Sequence, residues 1–270
     1  MRVFVTGLGG YLGRAIAAAA GPDDVVSGTV RESPAPPGTD AFALDVRDQA
    51  ALAAALDAAR PDAVIHTAYV QHGDDMRAVN AGGAAAVARA AADRGLRLVH
   101  LSSDAIFGGD RGRALREDDP PDPMTPYGAT KAEAETGVAA AHPAAVLVRT
   151  SLIYGGAEPS NHERRALDPD LTFYADEIRC PVVAGDLAAA VLELAARPEL
   201  SGALNVAGAD AVSRLEFARL VCAANGRDPA RVRAGAHPPG RPGDCTLDCS
   251  KAAGLLRTRL RGVREVLGGR

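Results

Sequence analysis

Residues 2–20 read RVFVTGLGGYLGRAIAAAA, a short apolar run followed by a glycine-rich turn and an alanine-rich helical pattern. The glycines Gly7, Gly10 and Gly13 recur at every third position. Between a strand and a helix, this spacing is typical of dinucleotide binding: the first glycine allows a tight turn, the second lets the backbone approach a pyrophosphate, and the third lets the helix pack closely. The N-terminus of the helix also favours an anion. The stretch therefore predicts a dinucleotide site.

Strand and helix signals continue to alternate after this turn. Short apolar runs predict strands at residues 24–30, 41–45, 63–67, 96–102 and 144–150, with helical patterns between them. Nearly continuous apolar strands that alternate with helices indicate an α/β fold, a doubly wound parallel sheet of the Rossmann type. Residues 151–270 are less regular, and the polar stretch at residues 155–170 predicts a loop. We expect a dinucleotide-binding domain over residues 1–150 and a small C-terminal substrate-binding lobe over residues 151–270, with segments that return to the first domain.

The composition excludes several classes of protein. The chain has 270 residues, 47% of them hydrophobic, and a net charge of −4 at pH 7. An acidic balance argues against general binding to nucleic acid or to anionic membranes. No apolar run reaches the length of a membrane span, and the N-terminus enters the first strand without a leader pattern. We expect a cytoplasmic protein whose partner is a small-molecule substrate, with a homodimer left open.

The four cysteines do not have the paired spacing of a zinc site or the density of a disulfide scaffold. Cys180 and Cys222 stand alone in the sequence, and Cys245 and Cys249 are separated by three residues. We interpret them as reduced structural thiols and predict no metal site.

A second group of chemically useful residues falls at predicted strand ends. Ser103 closes the strand at 96–102, and Tyr127 and Lys131 are spaced four residues apart at the start of a helix, so that they share one face. A lysine ammonium favours the phenolate form and would lower the pKa of a tyrosine from its usual value of about 10. Tyr127 would then exchange a proton with a substrate oxygen that Ser103 holds by a hydrogen bond.

These motifs together resemble a known family. The chain contains T-G-x-x-G-x-x-G at residues 6–13, S-S-D at 102–104, Y-x-x-x-K at 127–131 and R-T-S-x-x-Y-G at 149–155. It resembles the extended short-chain dehydrogenases/reductases and, within them, the dTDP-4-dehydrorhamnose reductase branch, over residues 1–267. The resemblance implies an NAD(P)-dependent oxidoreductase that acts on a carbonyl of a sugar nucleotide or a related small metabolite.

The resemblance also implies roles for individual residues. The catalytic set would be Ser103, Tyr127 and Lys131. The expected cofactor contacts lie along one edge of the sheet: Gly7, Gly10, Tyr11, Leu12, Asp45, Val46, Thr67, Ala68, Tyr69, Asn80 and Ser102, with Tyr127 and Lys131 reaching the nicotinamide ribose. The substrate side is expected to include Ser103, Asp104, Arg149, Arg179 and Arg241; of these, Arg149 is equally compatible with a structural role.

Arg31 follows the second predicted strand, where nicotinamide enzymes distinguish their two cofactors. An acidic residue at this point binds the ribose hydroxyls, whereas an arginine can pair with a 2′-phosphate. Glu32 stands beside Arg31, and an ordinary surface arginine is the alternative interpretation. We predict that NADP(H) is preferred over NAD(H), with Arg31 at the phosphate and Arg14 assisting it. His66, at another strand end, is interpreted as a packed histidine.

Two departures from the family pattern fall on the substrate side. Residues 155–171 form a shorter segment than is typical of the sugar-nucleotide reductases and lack an apolar helix, and Leu152 stands where the branch commonly has tryptophan. We therefore expect an open or differently shaped cleft beside Tyr127 and low activity on dTDP-4-dehydro-6-deoxy sugars.

Two other functions remain open from the sequence. An epimerase or dehydratase would keep and recycle its cofactor, although a dehydratase usually needs an additional acid/base pair and Asp104 is not followed by a glutamate. The chain could also be a non-catalytic nucleotide-binding subunit, which an intact Tyr127 and Lys131 pair does not exclude.

Overall fold

The computed structural model describes residues 1–269 and is organised around one parallel sheet of seven strands. The strands of the chain are β1 (Arg2–Thr6), β2 (Val25–Val30), β3 (Asp40–Ala43), β4 (Ala63–His66), β5 (Arg97–Ser103), β6 (Val146–Thr150), β7 (Ile153–Tyr154), β8 (Thr172–Tyr174), β9 (Ile178–Arg179), β10 (Val182–Val183), β11 (Gly202–Asn205), β12 (Val212–Ser213) and β13 (Arg233–Gly235). The large sheet has the order β11-β6-β5-β4-β1-β2-β3, with every neighbouring pair parallel. The predicted doubly wound Rossmann-type fold is confirmed.

Helices cover both faces of this sheet. They are α1 (Tyr11–Ala19), α2 (Gln49–Ala59), α3 (Ala84–Ala92), α4 (Pro126–Ala141), α5 (Asn161–Ala166), α6 (Ala184–Ala195), α7 (Arg214–Ala224), α8 (Ser250–Leu255) and α9 (Val263–Gly268). One apolar core joins α1 and α6 to the sheet, and a second joins α2, α3 and α4 to the opposite face. A π-helical turn, Ala78–Gly83, leads into α3. None of these helices has the length and apolar character that a membrane span requires.

The topology places a crevice between β1 and β4. The chain passes from β1 outward through β2 and β3, then returns to pair β4 with the other side of β1. Loops that leave β1 and β4 therefore diverge at the carboxyl edge of the sheet, and open α/β sheets bind ligands at such a point. Gly7 follows β1 and Thr67 follows β4, so two of the predicted cofactor segments meet at this crevice.

The glycine turn owes its shape to close backbone contacts. Gly7 has φ of +74°, which favours glycine, and the Gly10 amide donates to the Gly7 carbonyl at 2.9 Å. A Cβ added at Gly13 would lie 2.6 Å from the Leu8 carbonyl oxygen and would also strike that of Gly7. The helix α1 therefore packs directly against the turn backbone, as the spacing of the glycines predicts.

The second half of the chain builds a smaller apolar core of its own. It joins α5, α7 and α9 and includes Tyr154, Phe173 and Phe217. The strand β11 and the helix α6 lie outside this core: β11 pairs with β6 at the edge of the large sheet, and α6 packs against α1.

One local prediction from the sequence is wrong. Residues 155–170 were expected to be a loop, whereas the structure has the short helix α5 there. Ser160 caps it by accepting from the Glu163 amide, and the Glu163 carboxylate accepts from the Ser160 amide at 2.8 Å, which completes a capping box. The S-x-x-E pattern at these positions is a helix-start signal that the absence of an apolar stripe had obscured.

Gly13→Ala is expected to lower the free energy of unfolding by about 1–3 kcal/mol, because its methyl group has no room beside the turn carbonyls. Gly185→Ala is the matched control. Gly185 lies in α6 with open space where a Cβ would be, so alanine should leave stability unchanged or raise it by up to about 1 kcal/mol. Urea unfolding measures both variants. Equal effects at the two glycines would contradict the close packing of α1.

Candidate active site

The three predicted catalytic residues come together on adjoining elements. Ser103 is the last residue of β5, and Tyr127 and Lys131 lie in the first two turns of α4. Thr125 caps α4 by accepting from the Gly128 amide at 3.0 Å, and Pro126 occupies the first helical position. A Cβ at Gly128 would strike the Ala105 carbonyl. The start of α4 is therefore held against the segment that follows Ser103.

Lys131 is a buried cation that donates to a backbone carbonyl of the sheet. Its Nζ donates to the Leu101 carbonyl on β5 at 2.6 Å, and the residue is only 4% exposed. Burial lowers the pKa of Lys131 to about 8, against an opposing effect of the Glu135 carboxylate. The ammonium thus stays largely charged at neutral pH in a site that does not favour charge.

Two histidines lie on the sheet near Lys131. The rings of His66 and His100 stack with centroids 5.2 Å apart, and Thr6 Oγ1 lies 2.6 Å from His66 Nδ1. Burial and the Lys131 charge lower the pKa of His66 to about 3 and hold that of His100 well below its usual range. Both rings are therefore neutral at physiological pH. His66 is a packed, hydrogen-bonded histidine, as the sequence predicts.

Tyr127 behaves differently from the sequence expectation. Burial raises the pKa of its hydroxyl well above the usual value, and the nearby Asp104 and Tyr69 act in the same direction. The Ser103 hydroxyl acts in the opposite direction but is outweighed. The predicted lowering of this pKa by Lys131 is thus not seen in the protein alone. Tyr127 is a protonated phenol at neutral pH.

Asp104 links the catalytic serine to the second half of the chain. It is buried and accepts from Ser103 Oγ at 3.2 Å and from Ser151 Oγ at 2.5 Å. Its carboxylate lies 3.7 Å from the Arg179 guanidinium. Burial raises the pKa of Asp104, while the Arg179 charge and the two serine hydroxyls oppose that change. Asp104 therefore orients Ser103.

The first turn of α1 has the properties of an anion site. No side chain within residues 1–269 caps this helix, and its first turn contains no acidic residue. The amides of Tyr11 and Leu12 precede the first intrahelical bond, which runs from the Arg14 amide to the Gly10 carbonyl. A dinucleotide pyrophosphate fits this turn, because the turn has no side-chain cap and no acidic residue of its own within residues 1–269.

The segment after β4 is fixed to the same crevice. Thr67 Oγ1 donates to the Thr6 carbonyl at 2.7 Å, and the Ala68 amide donates to Thr6 Oγ1 at 3.3 Å. Tyr69 is 53% exposed, with its ring 6.0 Å from that of Tyr127. These side chains and Tyr127 line one side of the cleft.

Two predicted cofactor residues lie behind the cleft surface. The Asn80 amide is used within the protein: it donates to the Val70 carbonyl at 2.8 Å and to Thr130 Oγ1 at 3.0 Å, and its oxygen accepts from the Val70 amide. It thereby holds the segment after Tyr69 against α4. Ser102 is buried, and its Oγ has no hydrogen-bond partner within residues 1–269.

Arg31 and Asp45 meet at the far end of the crevice. The Arg31 guanidinium lies 3.7 Å from both Asp45 and Glu32 and is half exposed. Asp45 is held more tightly by Arg47, at 2.9 Å. Val46 is buried beneath Gly83 of the π-helical turn. Arg14 is predicted to assist Arg31. Its guanidinium donates to the Gly9 carbonyl in the glycine turn and to the Pro34 carbonyl in the segment after β2.

The three arginines predicted for a substrate anion have different positions. Arg149 is buried in an ion pair with Glu135 at 2.8 Å and also donates to the Glu117 carbonyl, so the structure does not bring it to the cleft as a free cation. Arg179 donates to carbonyls of the segment 242–243 and pairs with Glu177 at 3.4 Å. Arg241 is nearly half exposed at the rim, paired with Glu177 at 3.0 Å.

Sequence reasoning missed one residue that shapes the site, Arg214, and one contact of Tyr11, which it predicted only as a cofactor residue. The Tyr11 hydroxyl accepts from the Gly156 amide at 2.8 Å and so joins α1 to the second half of the chain. Arg214 begins α7, and its charge acts on the buried Asp104. The sequence gives no sign of either contact, because each joins positions that are far apart in the chain.

Comparison with known proteins agrees with this geometry. Residues 1–268 match the family described as RmlD substrate binding domain. The chain belongs to this family. A dTDP-4-dehydrorhamnose reductase of Mycolicibacterium smegmatis is 33% identical over 98% of this chain and 84% of its own length. A probable dTDP-4,6-dihydroxy-2-methyloxan-3-one 4-ketoreductase of Streptomyces antibioticus is 32% identical over 99% and 93%.

A solved structure shares the fold. The dTDP-4-dehydrorhamnose reductase of Bacillus anthracis, in complex with NADP, superposes with a TM-score of 0.82 over 99% of this chain and 97% of that chain, at 23% identity. The resemblance to the extended short-chain dehydrogenases/reductases is confirmed, and the chain is an oxidoreductase of that type.

Lys131→Met is expected to raise the free energy of unfolding at pH 7, because it removes a cation that burial disfavours. The lysine pKa is lower in the folded than in the unfolded state, so the unfolded chain binds more protons between pH 8 and the ordinary lysine value. The cost of burying the charge falls as the pH rises through that window. Thermal unfolding from pH 7 to 9.5 should show the advantage of the variant shrinking; a constant difference would contradict the charge effect.

Proposed function

We propose that the protein is an NADPH-dependent reductase of a ketone on a nucleoside-diphosphate sugar. The observation that supports this most strongly is the cluster of Ser103, Tyr127 and Lys131 beside the crevice between β1 and β4. The relatives named above narrow the class of substrate, since their names describe reductases of dTDP-linked keto sugars. Residues 1–150 are proposed as the dinucleotide-binding domain and residues 151–270 as the substrate lobe.

The cofactor proposal rests on the anion site at α1 and on Arg31. The pyrophosphate would be held by the Tyr11 and Leu12 amides, with Gly7 and Gly10 keeping the turn free of side chains. Arg31 is half exposed and its two carboxylate contacts are loose, so its guanidinium is available to a 2′-phosphate. The Bacillus anthracis relative binds NADP, which supports the same preference.

Residues of the chain itself would supply the proton that the carbonyl oxygen receives. When bound, the dihydronicotinamide supplies a hydride to the carbonyl carbon. Tyr127 is a protonated phenol before reaction, so its O–H donates to the carbonyl oxygen as negative charge develops there. Ser103 would turn its single O–H, which Asp104 accepts in the free protein, to the same oxygen when the substrate binds.

Lys131 stabilises the phenolate that forms when Tyr127 gives up its proton. Loss of the proton leaves a phenolate in a buried site, which is costly unless a cation is close. Lys131 is four residues further along the same face of α4 and is anchored by the Leu101 carbonyl, so its charge is fixed before the reaction begins. The raised pKa of Tyr127 and the lowered pKa of Lys131 thus have the same cause, burial.

Tyr127→Phe is expected to lower kcat by about 10²-fold or more, because the general acid is lost. The variant should still bind NADPH, since the ring and its packing are retained. NADPH oxidation with a series of nucleoside-diphosphate keto sugars measures the first effect, and NADPH fluorescence measures the second. Near-normal turnover in this variant would refute the assignment of Tyr127.

The same series of substrates separates the competing functions. Stoichiometric oxidation of NADPH supports a reductase. An epimerase would instead retain cofactor through purification and change the sugar without net oxidation. Absence of both activities across the series would favour a nucleotide-binding subunit. The low activity expected on dTDP-4-dehydro-6-deoxy sugars stays a prediction, and kcat/KM of about 10⁴ M⁻¹s⁻¹ or above with such a substrate would contradict it.

Arg31→Ala is expected to weaken NADPH binding by about 1.5–3 kcal/mol, the size of a hydrogen bond to a charged group. NADH lacks the 2′-phosphate and serves as the matched control, so its affinity should change little. Fluorescence titration with both cofactors gives the two values. Equal losses for NADPH and NADH would mean that Arg31 supports the fold of the crevice instead.

A further inference from the structure

Three buried polar side chains of the sheet have atoms without a hydrogen-bond partner. Within residues 1–269 these atoms are His66 Nε2, both ring nitrogens of His100 and Ser102 Oγ. All three residues are at most 4% exposed. Buried polar groups nearly always bond to protein or to ordered water, because an unsatisfied group costs free energy. Four such atoms in one place therefore indicate a bound ligand.

The register of the sheet places these side chains on the face that α4 covers. His66 of β4 pairs with His100 of β5, and their rings stack with centroids 5.2 Å apart. Alternate residues of a strand share a face, so Leu98, His100 and Ser102 point to the same side of β5. Leu98 lies in the apolar core that β5 shares with α4. The unpartnered atoms therefore face α4.

Lys131 reaches this face from α4. Its Nζ donates at 2.6 Å to the carbonyl of Leu101, the residue between His100 and Ser102. An ammonium has three N–H donors, and within residues 1–269 this carbonyl is the acceptor for one of them. Lys131 therefore has further donors beside the unpartnered histidine and serine atoms.

The hydrogen bonds of Thr6 determine which nitrogen of His66 carries the proton. Thr6 Oγ1 accepts from the Thr67 amide at 3.2 Å and from the Ala68 amide at 3.3 Å, which leaves its own O–H to donate. The atom in reach is His66 Nδ1, at 2.6 Å. A neutral His66 that accepts at Nδ1 carries its proton on Nε2. The unpartnered Nε2 is thus a buried N–H donor.

We propose that His66, His100 and Ser102 hold a buried water molecule that accepts a hydrogen bond from Lys131. Buried waters typically make about three hydrogen bonds to polar groups that would otherwise be unsatisfied. This water accepts from His66 Nε2 and from Lys131, and it donates to the unprotonated nitrogen of His100 or to Ser102 Oγ. An anion has no proton to donate to a neutral imidazole, so water suits the site better.

The water gives the two histidines a positioning role towards Lys131. It is a polar partner that does not neutralise the ammonium, and a hydrogen bond to the charged form opposes the effect of burial on the pKa of Lys131. Lys131 then stays charged at neutral pH and stabilises the Tyr127 phenolate. This consequence for catalysis rests on the proposed function, whereas the water site does not.

Titratable groups approach Lys131 from several elements. They are Tyr127 and Glu135 of α4, His66 of β4, Tyr69 after it, His100 of β5, Asp104 after it and Arg149 of β6. The charged residue of α3, Arg89, is exposed. Burial and the Lys131 charge hold the pKa values of both histidines far below neutrality, so replacing either ring removes no charge. An effect of such a replacement on Lys131 therefore reports hydrogen bonding.

Lysine NMR tests the proposal without a substrate. The chain has two lysines, Lys131 and the exposed Lys251, so the Cε signals of protein labelled with ¹³C-lysine follow Lys131 directly. His100→Leu is expected to lower the pKa of Lys131 by about one, a tenfold stronger acid, because the water loses a partner. His100→Gln removes the same ring but keeps an amide that can hold the water, so the pKa of Lys131 should stay close to that of the wild type.

His142 provides the matched control. It is a buried histidine at the opposite end of α4, with Nε2 2.8 Å from the Leu96 carbonyl. His142→Leu should leave the titration of Lys131 unchanged, and the Lys251 signal should respond to pH in the same way in every variant. Equal pKa changes in His100→Leu and His100→Gln, or no change in His100→Leu, would overturn the proposal.

Two measurements on the wild type decide the matter if His100→Leu does not fold. Histidine ¹⁵N NMR should place the His66 proton on Nε2, and a high-resolution crystal structure should show an ordered water within hydrogen-bond distance of that nitrogen. A proton on Nδ1, or an Nε2 without that water, would overturn the proposal. An anomalous signal at this position in crystals grown with bromide would overturn it too, since the ligand would then be an anion.

Turnover separates this site from the proposed function. With a keto sugar that the wild type reduces, NADPH oxidation by His100→Leu should decline at a pH about one lower, because the reaction needs a charged Lys131. A kcat lowered equally at every pH would mean that His100 only supports the fold, against the proposal. If the pKa of Lys131 falls as expected but no keto sugar is reduced by the wild type, the water site stands and the proposed function fails.

Discussion

The hydrogen bond from Lys131 to the Leu101 carbonyl is the interaction on which the arrangement of the site depends. It joins the second turn of α4 to β5 and fixes a buried ammonium one helical turn after Tyr127. Because the lysine is anchored on the sheet, the start of α4 is fixed relative to the end of β5, where Ser103 lies. The same burial that gives this precision raises the pKa of the tyrosine and lowers that of the lysine.

Neutral neighbours make this buried charge tolerable. His66 and His100 stack close enough to Lys131 for its charge to depress their pKa values, so neither adds a second positive charge. Three of their four ring nitrogens have no hydrogen-bond partner within residues 1–269. Uncharged imidazole rings thus lie near the ammonium, while Glu135, the carboxylate that acts on Lys131, is itself paired with Arg149.

The features that the sequence predicts well are those carried by neighbouring residues. The glycine turn, the four-residue spacing of Tyr127 and Lys131, and the alternation of strands and helices are all local, so the fold and the catalytic cluster follow from short stretches. The pairing of charges is not local. Arg149 meets Glu135 and Arg179 meets the carbonyls of residues 242–243 only after folding. Sequence reasoning could therefore identify arginines as candidates but not tell which of them remains free.

The bond between Tyr11 and Gly156 has a consequence for the order of events in solution. It ties the first turn of α1 to the segment that leads into α5, and Glu163 of α5 accepts from the same hydroxyl at 3.4 Å. A ligand that immobilises one side leaves less conformational freedom to be lost when the other side is occupied. Under the proposed function, affinities on the two sides would then be coupled, by the same factor in both directions. Through the Tyr11 hydroxyl, the proposed nucleotide crevice and the proposed substrate lobe would then bind their ligands interdependently.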